Sequence, residues 1–155
     1  MNFDILEVGK AFMVLFAVID ILGSIPLIIK IKRKAGDIHA LKASLVALGI
    51  MLAFLFLGEG ILGFLGVEVE AFAVVGSLIL FALGAEMIFG IQLFKDDDEQ
   101  SLKIASIVPI AFPLIAGAGT MTTIVSLNVE YQPINIAIAI FLNMIIVLVV
   151  LKLTK

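Results

Sequence analysis

The first residues with potential chemistry lie near position 20. Asp20, Gly23, Ser24 and Pro26 follow one another as D-x-x-G-S-x-P inside an apolar run from about Ala11 to Ile31. A carboxylate at that depth of a membrane span costs about 3 kcal/mol unless it meets a partner or water. Asp20 could cap a helix that resumes near Pro26, since Asp and Pro both suit helix starts. It could also serve a substrate, because an exposed helix start offers free N–H groups to a carboxylate.

A second group of residues interrupts a later apolar run, from about Ile104 to Leu127. Proline removes a backbone donor and glycine permits unusual backbone angles, so this run predicts a broken helix. Lipid cannot satisfy the freed backbone groups, and many secondary transporters build substrate sites from such breaks. A kinked packing helix is the alternative. The residues concerned are Pro109, Pro113, Gly117, Gly119 and Thr120, followed by Thr122 and Thr123, whose hydroxyls could bond to their own helix or line a cavity.

Two further polar residues lie within apolar runs. Glu86 is roughly 12 Å inside the inner end of its run at 1.5 Å per residue, and it either carries a coupling proton or bonds to a neighbouring helix. Asn143 interrupts an aliphatic run and is expected to hydrogen-bond across helices. We include Asn143 among the candidate substrate-binding residues, and we consider Asp20 and Glu86 as proton-coupling candidates.

Five apolar runs position these residues. They cover about 11–31, 41–65, 71–94, 104–127 and 134–151, and crossing a bilayer takes about 20 apolar residues. With 63% hydrophobic residues and a mean hydropathy of +1.27, the chain is predicted to be an all-α polytopic membrane protein. It has no cysteine and a single histidine, His39, in a basic loop. We therefore expect no enzyme, no metal site, no cofactor and no nucleic-acid partner.

The basic residues predict the orientation. With the N-terminus outside, all of them except Lys10 fall on the cytoplasmic side, as basic residues do in most membrane proteins. The expected location is the cytoplasmic (inner) membrane, with the bilayer and a small-molecule substrate as partners. Self-association into a homo-oligomer is left open.

The two breaks suggest an internal repeat. A shift of 93 positions places residues 20–26 over residues 113–119, so a break recurs at the same depth of the first helix in each half. The first half has three spans, and the second would therefore enter the membrane from the opposite side, as inverted-topology repeats do. We predict one transmembrane domain, with residues 1–95 as the first repeat and 103–155 as an incomplete second one. Its five helices would be 3+2 of an inverted 3+3 repeat, with helices one and four broken.

Four stretches together resemble the MarC/SnatA-type integral membrane proteins. They are DILGSIPL at 20–27, VGSLILFA at 75–82, EMIFG at 86–90 and PIAFPLIAGAGT at 109–120. The resemblance implies six helices in two inverted halves, and transport of small neutral amino acids such as glycine and alanine by some members. This chain has Ile21 and Ala118 where the family usually has proline. By this resemblance a sixth helix is expected after the fifth span, and no apolar run follows Leu151 in this sequence. Either the chain is a shortened form, or the partner segment lies elsewhere.

The function expected from these patterns is secondary transport of small neutral amino acids or similar small zwitterions. Helix ends around residues 23–26 and 117–120 would hold the substrate, and Asp20 or Glu86 would couple a proton. The alternative is a membrane scaffold or assembly protein that does not transport, whose polar residues only join helices.

Overall fold

The computed structural model describes residues 3–26, 28–29, 32, 39–89, 111 and 115–154. For Ala118 and for some residues between 69 and 89, only the backbone is described. These residues form five α-helices and no strand. The helices are α1 (Ile5–Ile19), α2 (Ala40–Phe64), α3 (Val69–Phe89), α4 (Ala118–Glu130) and α5 (Pro133–Leu153). The predicted all-helical class is thus confirmed for the described residues, whereas the inverted repeat and its boundaries stay predictions.

Two of the described helices are long and apolar enough to cross a membrane. They are α2, with 25 residues, and α5, with 21 residues, and each contains a strongly apolar stretch of 18 residues. By contrast, α1 has 15 residues and α4 has 13. Each of these two is about 20 Å long at 1.5 Å per residue, which is less than the roughly 30 Å hydrocarbon core of a bilayer. The two short helices are the ones in which breaks are predicted.

Helix packing centres on α5, which lies against both α1 and α2, while α4 lies against α2 and α3 and also contacts α1. One buried apolar cluster joins α1, α2, α4 and α5. Helix faces that point away from this cluster are apolar too, since Phe56, Phe81 and Phe141 are exposed. Helices that are apolar on both faces suit a protein with neighbours on one side and lipid on the other.

Local sequence accounts for the helix ends on one side of the bundle. Asp4 precedes α1, and its side chain accepts a hydrogen bond from the Leu6 amide at 2.8 Å. Pro133 occupies the first turn of α5, where its missing N–H has no partner to lose. The α2–α3 turn contains Gly66 at φ +69°, a conformation that glycine adopts without strain.

Candidate functional site

The first span, which consists of α1 and the helical residues that follow it up to Lys32, is interrupted at Asp20. The last backbone bond of α1 runs from the Asp20 amide to the Phe16 carbonyl at 3.2 Å. Asp20 itself has φ 42° and ψ 49°, the only positive φ at a non-glycine among the described residues. Residues 21–24 form a turn, and the chain is helical again at residues 25, 26, 28 and 29. The interruption at residues 20–24 thus begins a few residues before the break predicted at residues 23–26 and overlaps it.

Asp20 also caps the turn that follows it. Its Oδ1 accepts a hydrogen bond from the Gly23 amide at 3.1 Å, and its backbone carbonyl accepts one from the Ser24 amide at 3.0 Å. A side chain bonded three residues on, with the carbonyl bonded four residues on, is the pattern of a helix N-cap. The carboxylate is nevertheless on an exposed residue, whereas Ser24 is buried and Pro26 is exposed. The capping interpretation of Asp20 is thus supported, and its exposure leaves the carboxylate accessible.

Gly23 is the residue that makes room for this carboxylate. A Cβ atom at position 23 would lie 2.3 Å from Oδ2 and 2.8 Å from Cγ of Asp20. These separations are far below van der Waals contact. Any other residue at this position would have to displace the Asp20 carboxylate from its capping position.

The second interruption precedes α4. The Ala116 amide donates to the Ala111 carbonyl at 2.9 Å, five residues back, which is the wide turn of a π-helix. Gly117 is the N-cap of α4, with extended backbone and no side chain to bond the first-turn amides. The first amides of a helix have no partner within the helix. Pro113, like Pro109, lies outside the described residues.

The threonine hydroxyls of α4 bond to backbone carbonyls of their own segment. Thr120 Oγ1 donates to the Ile115 carbonyl at 2.9 Å. Thr122 Oγ1 and Thr123 Oγ1 both donate to the Gly119 carbonyl, at 2.9 and 2.8 Å. Of the two roles left open by the sequence, the described contacts match bonding to their own helix. The Thr120 bond fastens the start of α4 to the wide turn before it.

The two breaks lie at similar depth. Glu7, in the first turn of α1, accepts a hydrogen bond from the Gln132 amide at 3.1 Å, so the start of α1 lies level with the end of α4. From that level, α1 and α4 each extend about 20 Å, since they have 15 and 13 residues. The buried cluster also joins the segments flanking the two breaks, through Ile21 and Ile115.

The C-terminal end of α1 and the N-terminal end of α4, which are opposite ends of two helix dipoles, therefore lie at similar depth. The C-terminal end of α1 carries partial negative charge, to which the Asp20 carboxylate adds. The N-terminal end of α4 carries partial positive charge on its first amides, at Ala118, Gly119 and Thr120. A small ligand between the two ends would meet an acceptor group on one side and a donor group on the other.

The other predicted site residues are placed differently. Asn143 is buried on α5, and its Nδ2 donates to the Phe12 carbonyl at 3.2 Å and to the Ala139 carbonyl at 3.0 Å. It thus makes the cross-helix bond expected from the sequence. Glu86 lies on α3, but its side chain is outside the described part of the chain. Within the described ranges, no cluster of His, Cys, Asp or Glu could hold a metal ion.

Sequence reasoning missed several polar contacts of the first span with α5. Glu7 Oε2 accepts from Asn135 Nδ2 at 2.7 Å, and Lys32 Nζ donates to the Thr154 carbonyl. One signal was available for the first contact. Asn135 is a polar residue at the start of an apolar run, and such residues usually hydrogen-bond to another helix.

Comparison with known proteins places the chain among membrane proteins. The model of the MarC family integral membrane proteins matches residues 5–155. The chain is 36% identical to a UPF0056 membrane protein of Pyrococcus abyssi, over 92% of this chain and 78% of that protein. It is 33% identical to the UPF0056 inner membrane protein YhgN of Escherichia coli K12, over 81% of this chain and 66% of that protein. A UPF0056 membrane protein of Methanocaldococcus jannaschii is 33% identical over 72% of this chain, which spans only 59% of that relative. No solved structure matches the chain.

Proposed function

Because this chain belongs to the MarC family of integral membrane proteins, we propose that it is a secondary transporter of the inner membrane. Its substrates are small neutral amino acids or similar small zwitterions. The name of the E. coli relative, an inner membrane protein, supports the location. The names of the relatives identify no substrate. The proposed substrate class is the one implied by the resemblance to MarC/SnatA-type proteins, and the chemistry of the site supports it.

The observation that supports this proposal best is that the C-terminal end of α1 and the N-terminal end of α4 lie at similar depth. An ammonium group binds toward Asp20 and the terminal carbonyls of α1, while a carboxylate binds to the first amides of α4. A free α-amino acid carries both groups within a few ångströms of each other. An anion or a cation alone would complement only one of the two ends.

Burial beside the breaks favours a small substrate. Ile21 is 2% exposed and Ile115 is fully buried, and both belong to the cluster that joins the breaks. A substrate with a bulky side chain has to displace these residues from a packed interior, at about 1–3 kcal/mol. A substrate with a small side chain, such as glycine or alanine, requires less such rearrangement.

In this proposal, either Asp20 or Glu86 binds and releases the coupling proton. Asp20 lies at the break, and its side chain is not buried by the described protein. Its capping bond to the Gly23 amide uses one oxygen, Oδ1, and leaves Oδ2 for a second partner. Glu86 is the alternative, as the other carboxylate within an apolar run.

A scaffold protein that does not transport is the second candidate. The contacts of Asn143 and of the threonines favour it, because these side chains bond to backbone carbonyls of the protein itself. Such bonds stabilise helix packing without a ligand. A protein that is folded but exchanges no labelled amino acid would belong to this class.

Replacing Asp20 with Asn tests the proposal in proteoliposomes. Asn caps helices about as well as Asp, so the fold should be kept, but Asn cannot cycle a proton. We expect Asp20→Asn to retain exchange of labelled alanine, because the terminal carbonyls of α1 and the Asn side-chain oxygen still accept from the ammonium, and to lose accumulation driven by a pH gradient. The matched control is Glu59→Gln, which neutralises an exposed carboxylate of α2. Accumulation by Asp20→Asn at the level of this control would contradict coupling at Asp20 and point to Glu86.

A further inference from the structure

The first span contacts α5 on both sides of its break. On the α1 side, Glu7 Oε2 accepts from the Gln132 amide at 3.1 Å and from Asn135 Nδ2 at 2.7 Å. Asn135 is fully buried, and its Oδ1 accepts from the Asp4 amide at 3.3 Å. Gln132 is the N-cap of α5, so the carboxylate of Glu7 lies at the positive end of the α5 dipole.

The other side of the break is joined to the opposite end of α5. Lys32, in the helical segment after the break, donates through Nζ to the carbonyl of Thr154. Thr154 is the C-cap of α5, where terminal carbonyls lack helical partners and partial negative charge accumulates. An ammonium group here complements the dipole and supplies a donor to one of these carbonyls.

A third contact lies between these two ends. Asn143 Nδ2 donates to the Phe12 carbonyl at 3.2 Å, and Asn143 is 1% exposed. The apolar residues Leu15, Ile140 and Val147 of the same two helices are also almost fully buried. Polar bonds between membrane helices stabilise their packing, so several along one interface favour joint movement.

The face of α5 toward α2 has a different chemistry. The groove between these helices is lined only by apolar side chains, with Leu48 and Leu52 on α2 and Ile138 and Phe141 among those on α5. Small sliding movements of packed helices occur readily where no directional bond has to break. Among the described contacts, α5 is thus joined to the first span by hydrogen bonds, whereas its groove with α2 is apolar.

We propose that α5 holds together the two helical segments on either side of the break in the first span, an arrangement that we call a splint. Glu7, Asn143 and Lys32 are its positioning residues. They hold α1 and the helical segment at residues 25, 26, 28, 29 and 32 in a fixed relation to each other. The Asp20 turn is thereby kept opposite the start of α4. The link to transport rests on the proposed function: in a carrier of this design, movement occurs along the apolar α2–α5 face and not at the turn.

Distance measurement between spin labels tests the splint directly. The chain has no cysteine, so Lys10→Cys with Ile29→Cys gives one labelled site on each side of the break. In liposomes we expect a single narrow distance. Adding Lys32→Met to the labelled double variant should abolish that single distance, because the hydrogen bond from Lys32 Nζ to the Thr154 carbonyl is lost. Lys32→Arg should restore it, since Arg keeps both the charge and the donor.

The matched control is Lys42→Met, which removes an exposed basic residue near the start of α2. A single distance in Lys32→Met equal to that of the control would overturn the proposal, as would failure of Lys32→Arg to restore it. Uptake of labelled alanine provides a second readout, in which Lys32→Met should be slower than Lys42→Met. If the unsubstituted protein shows no uptake at all, the proposed function fails, while the distance comparison still decides on the splint.

Discussion

The contact between Gly23 and Asp20 gives the most detailed prediction. In Gly23→Ala the new Cβ would lie 2.3 Å from Oδ2 of Asp20, so the carboxylate has to move by more than about 1 Å for ordinary contact. That movement breaks the 3.1 Å bond to the Gly23 amide. Losing a cap bond costs about 1 kcal/mol, and the strain that remains adds a similar amount.

Replacing glycine also has a stabilising effect that must be separated from this loss. Gly23 does not have a positive φ, so alanine is compatible with the backbone and should gain about 0.4–1 kcal/mol through the unfolded state. In an Asp20→Ala background no carboxylate is present, and only this gain remains. The double-mutant cycle should therefore give a coupling energy of about 2 kcal/mol between the two positions.

The assay is the midpoint of unfolding in mixed micelles titrated with SDS, followed by far-UV circular dichroism. The control is Gly49→Ala in α2, where an added Cβ meets nothing within 4 Å. This change should stabilise the helix by about 0.5–1 kcal/mol. If Gly23→Ala shifts the midpoint equally in the presence and absence of the Asp20 carboxylate, the capping geometry of Asp20 is refuted.

Two predictions concern helix packing and orientation. A Cβ at Gly58 would lie 2.7 Å from Cγ2 of Val125, so Gly58→Ala should destabilise the α2–α4 contact by about 1–3 kcal/mol. Gly60→Ala should not, because an added Cβ there meets open space. Equal unfolding midpoints for the two variants would contradict this packing. With the N-terminus outside, Gly36→Cys should resist a membrane-impermeant thiol reagent in intact cells while Glu68→Cys reacts, and the reverse labelling would overturn the orientation.

The breaks could be predicted because their causes are local. Asp20 and Gly23 interact across three positions, and the sequence itself contains the residues that end one helix and begin the next. The cap that Asp20 forms is one of the two roles that its residue type predicts. The similar depth of the two breaks is likewise indicated by their 93-residue offset in the sequence.

The contacts of α5 could not be predicted in the same way. Glu7 and Asn135 are separated by 128 positions, and Lys32 and Thr154 by 122. No periodicity or short motif connects such residues, because their proximity results from how whole helices pack. Charge patterning predicts only a cytoplasmic location for Lys32, and the structure adds the carbonyl to which it donates.

The central claim is that the two helix ends bind and move a small zwitterion, and counterflow in proteoliposomes tests it most directly. Vesicles loaded with unlabelled alanine should take up labelled glycine and alanine rapidly, and labelled leucine far more slowly because of the buried residues beside the breaks. An inward proton gradient should drive uptake beyond equilibrium. Protein that is folded by circular dichroism but gives no counterflow of glycine or alanine above empty vesicles would contradict the account and favour the scaffold.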